Sequence, residues 1–185
     1  METNTVKQII YDFLKEKVFQ TFPKYFDLME NSRDEIFWGR LQNQSYDKIY
    51  VSLIDKKITK IDRRYEEYRS GDIYYYKKRK QLLVTIAVYV VSNTEFTSVS
   101  DNLVVNLIEY IESLLTESQA TFNYFASNGI VINELGVSEI KDMSSLNTKT
   151  QEFRKEFDIP FEYEDIREYE PDLGCELSVD INPEV

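Results

Sequence analysis

The chain contains no histidine and one cysteine, Cys175. The first absence removes the commonest general base and metal ligand, together with every Ser-His or Cys-His arrangement. A lone cysteine forms neither a zinc cluster nor an internal disulfide. The five glycines make no phosphate-cradling loop and no dinucleotide fingerprint. One catalytic pattern has residues behind it, a metal-dependent nuclease built from Pro-Asp and a later acidic-x-Lys. Pro171-Asp172 and Glu139-Ile140-Lys141 are both present but in the reverse order, and no Glu-x-Lys follows Asp172. Glu162, Glu164 and Asp165 lie close enough in sequence to gather a divalent cation, although a solvated acidic face is the commoner use of such a cluster. These residues predict a protein without catalytic groups, cofactor or metal, one that works by binding other macromolecules.

Charge is the second source of chemistry. The net charge is −11 and the isoelectric point near 4.6, which disfavours wrapping nucleic acid. Its distribution is uneven. Residues 56–80 hold ten basic side chains against four acidic ones, whereas residues 152–185 hold twelve acidic against three basic. Two such segments attract each other, within a subunit or between neighbours. The run Lys77-Lys78-Arg79-Lys80 has three readings: a nucleic-acid contact beside Tyr74, Tyr75 and Tyr76, the solvated start of a strand or a hairpin tip, or a contact for an acidic protein partner. The predicted interface residues are Lys77, Lys78, Arg79 and Lys80 on one side and Glu162, Glu164 and Asp165 on the other. In this reading the basic segment of one subunit meets the acidic surface of the next.

The elements that must position these charges are legible from periodicity. Ile9, Phe13, Leu14 and Val18 recur at helical spacing over residues 4–22, and Pro23 stops the helix. A capping box, Ser32 with Glu35, predicts a second helix carrying Ile36, Phe37 and Leu41. From Asp47 the period becomes two, with Ile49, Val51 and Leu53 on one buried face. Ile58 and Ile61 either continue this strand or start another after a turn at Asp55-Lys56-Lys57. A break at Ser70-Gly71-Asp72 leads into residues 73–91, whose core from Leu82 reads apolar on both faces, as a central strand does.

A helix capped by Ser98 or Ser100 follows, with a stripe of Leu103, Val104, Leu107, Ile108, Ile111, Leu114 and Leu115. Asn106, Glu109, Glu112 and Ser113 face solvent in this reading. A short helix over residues 119–127 ends at Asn128-Gly129. Ile130, Val131 and Ile132 begin a strand, and the polar run 141–150 is a loop. Phe153, Phe157, Ile159, Phe161 and Tyr163 then share one parity, with Pro160 on the other, which predicts an edge strand or a bulge there. Pro171 and Gly174 turn the chain into a last strand with Leu177, Val179 and Ile181, closing a C-terminal hairpin. The predicted fold is one α+β domain over residues 1–185. A mixed or antiparallel sheet is covered by the long amphipathic helix and the N-terminal helix. No apolar run reaches the ~20 residues of a membrane span, and the cysteine usage points to a cytoplasmic origin.

Three segments resemble the phage neck and tail terminator proteins: "LLVTIAVYVVS" followed by the helix from Ser100, "SNGIVINELG" at residues 127–136, and "TQEFRKEFDIPFEYEDIREYE". In the last, Phe153, Arg154, Phe157 and Asp158 occupy the matching positions. The resemblance spans about residues 49–181. It departs in the first strand, where the family often has a proline-flanked Tyr-Val-Val segment and this chain has "YDKIYVSLID". The resemblance implies a virion protein assembled in the host cytoplasm. It would be a ring of identical subunits, commonly six, that ends the tail tube and docks the head connector. Its partners would be itself, the tube protein and the connector, with double-stranded DNA passing through the lumen unbound. The charge and the missing chemistry also suit a small acidic binding protein, such as an inhibitor or DNA mimic.

Overall fold

In a computed structural model, residues 1–22, 36–39, 49–61, 66–70, 73–92, 98–146 and 151–169 are described. Helices α1 (Thr3–Thr21), α2 (Ser98–Thr116) and α3 (Gln119–Ser127) pack on a mixed sheet. Among the described residues its strands are β1 (Ile36–Trp38), β2 (Ile49–Lys60), β3 (Glu66–Ser70), β4 (Ile73–Ser92), β5 (Ile130–Ile132), β6 (Lys141–Asp142), β7 (Ser145–Leu146) and β8 (Gln151–Tyr169). The spine is order β1-β2-β4-β8-β5, with β3 on β4 and both β6 and β7 on β8. Among the described residues, only β1 and β2 pair in parallel.

Strand β4 is the axis of the sheet because its sequence can be buried on both faces. Leu82, Val84, Ile86, Val88 and Val90 point to the helices, while Thr85, Ala87 and Tyr89 are buried on the reverse side. It pairs with β8 without a register shift from Tyr74↔Tyr169 to Ser92↔Gln151. At about 3.3 Å per residue the shared ladder is roughly 60 Å long. The helix-side core comprises these β4 residues, Ile49, Val51 and Leu53 of β2, and Phe157, Ile159, Phe161 and Tyr163 of β8. Against them lie Val6, Ile10, Phe13, Leu14 and Val18 of α1, then Val104, Leu107, Ile108, Ile111 and Leu115 of α2. Leu103 and Leu114 are half-buried at the margins of that stripe, and Glu112 is half-buried where solvent exposure was expected; Asn106 and Glu109 are exposed.

Several local expectations fail for identifiable reasons. Ile36 and Phe37 lie in β1, parallel to Val51 and Ser52, and not in a helix. The capping-box signal is local, whereas Ile-Phe-Trp suits a strand and Gly39 follows at φ 97, outside helical geometry. Ser32, Glu35 and Leu41 lie outside the described residues, as do the Pro171–Gly174 turn and the strand at Leu177, Val179 and Ile181. β2 is buried on both faces from Ile49 to Leu53. It runs on to Lys60 without a turn, through a bulge between Asp55 and Lys57. The polar run from 141 contains β6 and β7, whose pairing uses the backbone of β8 and needs no apolar pattern.

Pro160 sits neither at an edge nor at a bulge, because β8 has β4 on one side and β5 and β6 on the other. Its carbonyl accepts from the Asn133 N–H at 3.1 Å, on the side away from β4. In an extended strand a residue's N–H and C=O point the same way, so the missing N–H faces the gap between β5 and β6. No rung of the β4–β8 ladder is lost. A 3-10 turn, Glu134–Gly136, covers this gap. A Cβ on Gly136 would come within 2.6 Å of Pro160 Cγ. Gly136→Ala is therefore expected to cost about 1–3 kcal/mol by overpacking. Thermal melts should show Pro160→Ala recovering part of that loss in the double variant, since the clash is with the ring.

Candidate functional site: a charged ladder leaving the core

The apolar core stops at Leu82 on β4 and Tyr163 on β8. Beyond it the two strands continue side by side, joined by β3 through Glu66↔Lys77 to Ser70↔Ile73. This three-stranded arm carries tyrosines and charges where the core carried aliphatics. Tyr68 and Tyr75 are a direct cross-strand pair, stacked at 5.2 Å between ring centroids. The Arg69 guanidinium lies 5.3 Å from the Tyr74 ring, and Lys78 Nζ 4.5 Å from the Tyr76 ring. Each such contact contributes about 0.5–1 kcal/mol at an exposed site. The tyrosine triplet is thus central in the arm, with a strand on either side.

Alternation sorts the basic run between the two faces. On the face away from the helices, Lys77 meets Glu164 at 2.7 Å and Arg79 meets Glu162 at 3.4 Å, both diagonally across β4 and β8. Glu162 also accepts from Asn133 Nδ2 at 2.9 Å. Farther along the same face, Asp158 accepts from Thr85 at 2.7 Å and from Lys56, which the β2 bulge turns toward it, at 2.8 Å. Burial disfavours the Asp158 carboxylate, yet these two donors outweigh it and hold its pKa below the usual range.

On the helix side, Lys80 is bound to Asp165, which is almost wholly buried. Arg167 Nε reaches the same carboxylate at 3.2 Å, while its Oδ1 has no hydrogen-bond partner among the described residues. The Met1 ammonium donates to the Glu164 carbonyl at 2.6 Å, and Thr3 and Tyr163 share a hydroxyl bond at 2.7 Å. The start of α1 therefore closes the core at this point. Burial raises the Asp165 pKa, but Lys80 foremost, then Arg167, reverses this and leaves it lowered.

The expected interface residues are thus brought together within one chain. Lys77, Arg79 and Lys80 each face a carboxylate from Glu162, Glu164 or Asp165. Glu162 and Glu164 lie on one face and Asp165 on the other, so the three do not converge on a cation. Among the described residues, no group of three or more acidic or cysteine side chains is placed to hold a metal ion. No described helix is long and apolar enough to cross a membrane. Sequence reasoning missed Thr85 and Asn133 as members of this network and read Lys56 only as part of the basic segment, since only the register shows which strands they join. No family model and no curated protein matches the chain.

Proposed function

We propose that the chain is a non-catalytic structural protein of a tailed phage. It forms a ring of identical subunits that terminates the tail tube and joins it to the head connector. The observation that carries this reading is the placement of the three segments that resemble the neck and tail terminator family. "LLVTIAVYVVS" is the buried half of β4, "TQEFRKEFDIPFEYEDIREYE" runs along β8 beside it, and "SNGIVINELG" supplies β5 and its turn on the far side of β8. Separated in sequence, they are adjacent in one sheet, as the shared core of a family would be. The arm supports the reading as well, because a β-ribbon outside the apolar core gives a subunit reach toward a neighbour. An acidic overall balance suits a lumen through which DNA slides without sticking.

Sedimentation velocity of the purified chain tests this. The expected result is a closed species of fixed mass, six times that of one chain, which persists on dilution. A monomer at all concentrations, with and without tail tubes, would favour the small acidic binding protein instead.

A further inference from the structure

Two apolar patches lie on opposite edges of the sheet, and their charged borders have opposite signs. On the β5 edge, Leu135 is fully exposed and Val131 is 58% exposed. Leu135 sits on a braced turn: Asn133 N–H binds the Pro160 carbonyl, Ser138 N–H binds the Asp158 carbonyl, and Gly136 abuts the Pro160 ring. An ordered turn that presents a bare leucine to water gains nothing within the subunit. Exposed Glu134 and Glu139 flank it in the chain, followed by exposed Lys141.

On the β2 edge, Ile58 is 50% and Ile61 38% exposed, bordered by exposed Lys57 and Lys60. The bulge between Asp55 and Lys57 shifts the alternation, which puts Ile58 on the helix side beyond the cover of the helices. Asp55, the acidic residue within β2, is bound to Lys7 of α1. Among the described residues, β1 covers β2 only at Val51–Leu53, and β5 pairs only with β8. The two patches stand at one height in the sheet, along the row Thr59, Gln81, Glu162 and Val131.

From this placement we infer that the β5 edge of one copy docks on the β2 edge of a second copy. Val131 and Leu135 pack against Ile58 and Ile61, and Glu134 and Glu139 face Lys57 and Lys60. The occupant is another copy because exposed apolar residues on each edge are bordered by charges opposite to those bordering the other. The two patches differ, so the contact is head-to-tail and repeats around a ring when the rotation closes. Lysines on a strand edge also discourage indiscriminate strand pairing. The inference deepens the ring reading and rests on it for closure only.

Charge reversal of each edge provides the test. Lys57→Glu with Lys60→Glu gives a subunit with two acidic edges, and Glu134→Lys with Glu139→Lys gives one with two basic edges. In sedimentation at low salt, each double variant alone should require at least about tenfold more protein to assemble than wild type. An equimolar mixture of the two, or the fourfold variant, should assemble as wild type does. Circular dichroism melts check that both remain folded, and Leu135→Ser provides a charge-neutral variant expected to weaken assembly. If wild type assembles and all the variants assemble equally well, the edge contact is wrong while a ring survives. Open filaments with the same rescue pattern would keep the contact and remove the closed ring. A wild type that stays monomeric overturns both.

Discussion

Phe161→Ala should destabilise the fold by about 3–5 kcal/mol, the largest effect expected of any single apolar truncation in the sheet. Phe161 is fully buried on β8, paired with Leu82 on one side and Ile132 on the other. Its ring meets Phe125 of α3 at 5.5 Å between centroids, so truncation opens a cavity where sheet and helices join. Aromatic contact adds about 0.5–1.5 kcal/mol to the area lost. Leu107→Ala on α2, also fully buried, should cost about 2–5 kcal/mol. Glu109→Ala, on the exposed face of that helix, should change stability by less than about 0.5 kcal/mol. Urea unfolding of the three variants separates these cases, and similar losses for Glu109→Ala and Leu107→Ala would place the helix on the wrong face.

Lys80→Met should be nearly as damaging, at about 3–5 kcal/mol near neutral pH, because it strands the Asp165 carboxylate in the core margin. Arg167 still reaches that carboxylate and lowers the cost toward the bottom of the range. The pH dependence has a definite sign. Asp165 is held below its unfolded value of roughly 3.9. Its contribution is therefore present above about pH 4 and disappears as pH falls through the lowered folded pKa. In Lys80→Met the carboxyl pKa rises, so the gap in stability between variant and wild type should narrow on acidification. Denaturant titrations at pH 7 and pH 3 measure it. A gap that stays constant would mean that the loss reflects packing of the lysine stem and not the charge pair. Asp142, which Lys155 holds down at about 2, lies on an exposed strand and offers a comparison with little effect on the fold.

The parts of this fold legible in the sequence are those whose signal is local and repeated. Ile130–Ile132 and the Asn128-Gly129 stop were readable because Gly129 takes φ 70, a conformation glycine adopts freely. Residues 82–91 read as a central strand because both parities are apolar. Pro160 misled because proline argues against a central strand only when its nitrogen points at a ladder partner. Here the nitrogen points into a gap roofed by the turn at Gly136. The Ser32–Glu35 capping box competed with pairing to β2, a partner more than ten residues later, and tertiary pairing prevailed at Ile36 and Phe37.

Charge segregation was visible in composition, yet its meaning depended on register. Lys77, Arg79 and Lys80 find Glu164, Glu162 and Asp165 because β4 and β8 run antiparallel with an unbroken offset. No spacing within either segment encodes that offset. The exposed Leu135 was equally hidden, since one leucine in a polar stretch has no period to betray it. Its significance comes from the opposite edge of the sheet.

Class-averaged electron micrographs of the purified chain report ring closure and lumen together. Closed rings with an open centre and six subunits around are expected, lost in the acidic-edge and basic-edge variants and restored when the two are mixed. Isolated monomers, or compact particles with no central opening, would contradict the ring reading.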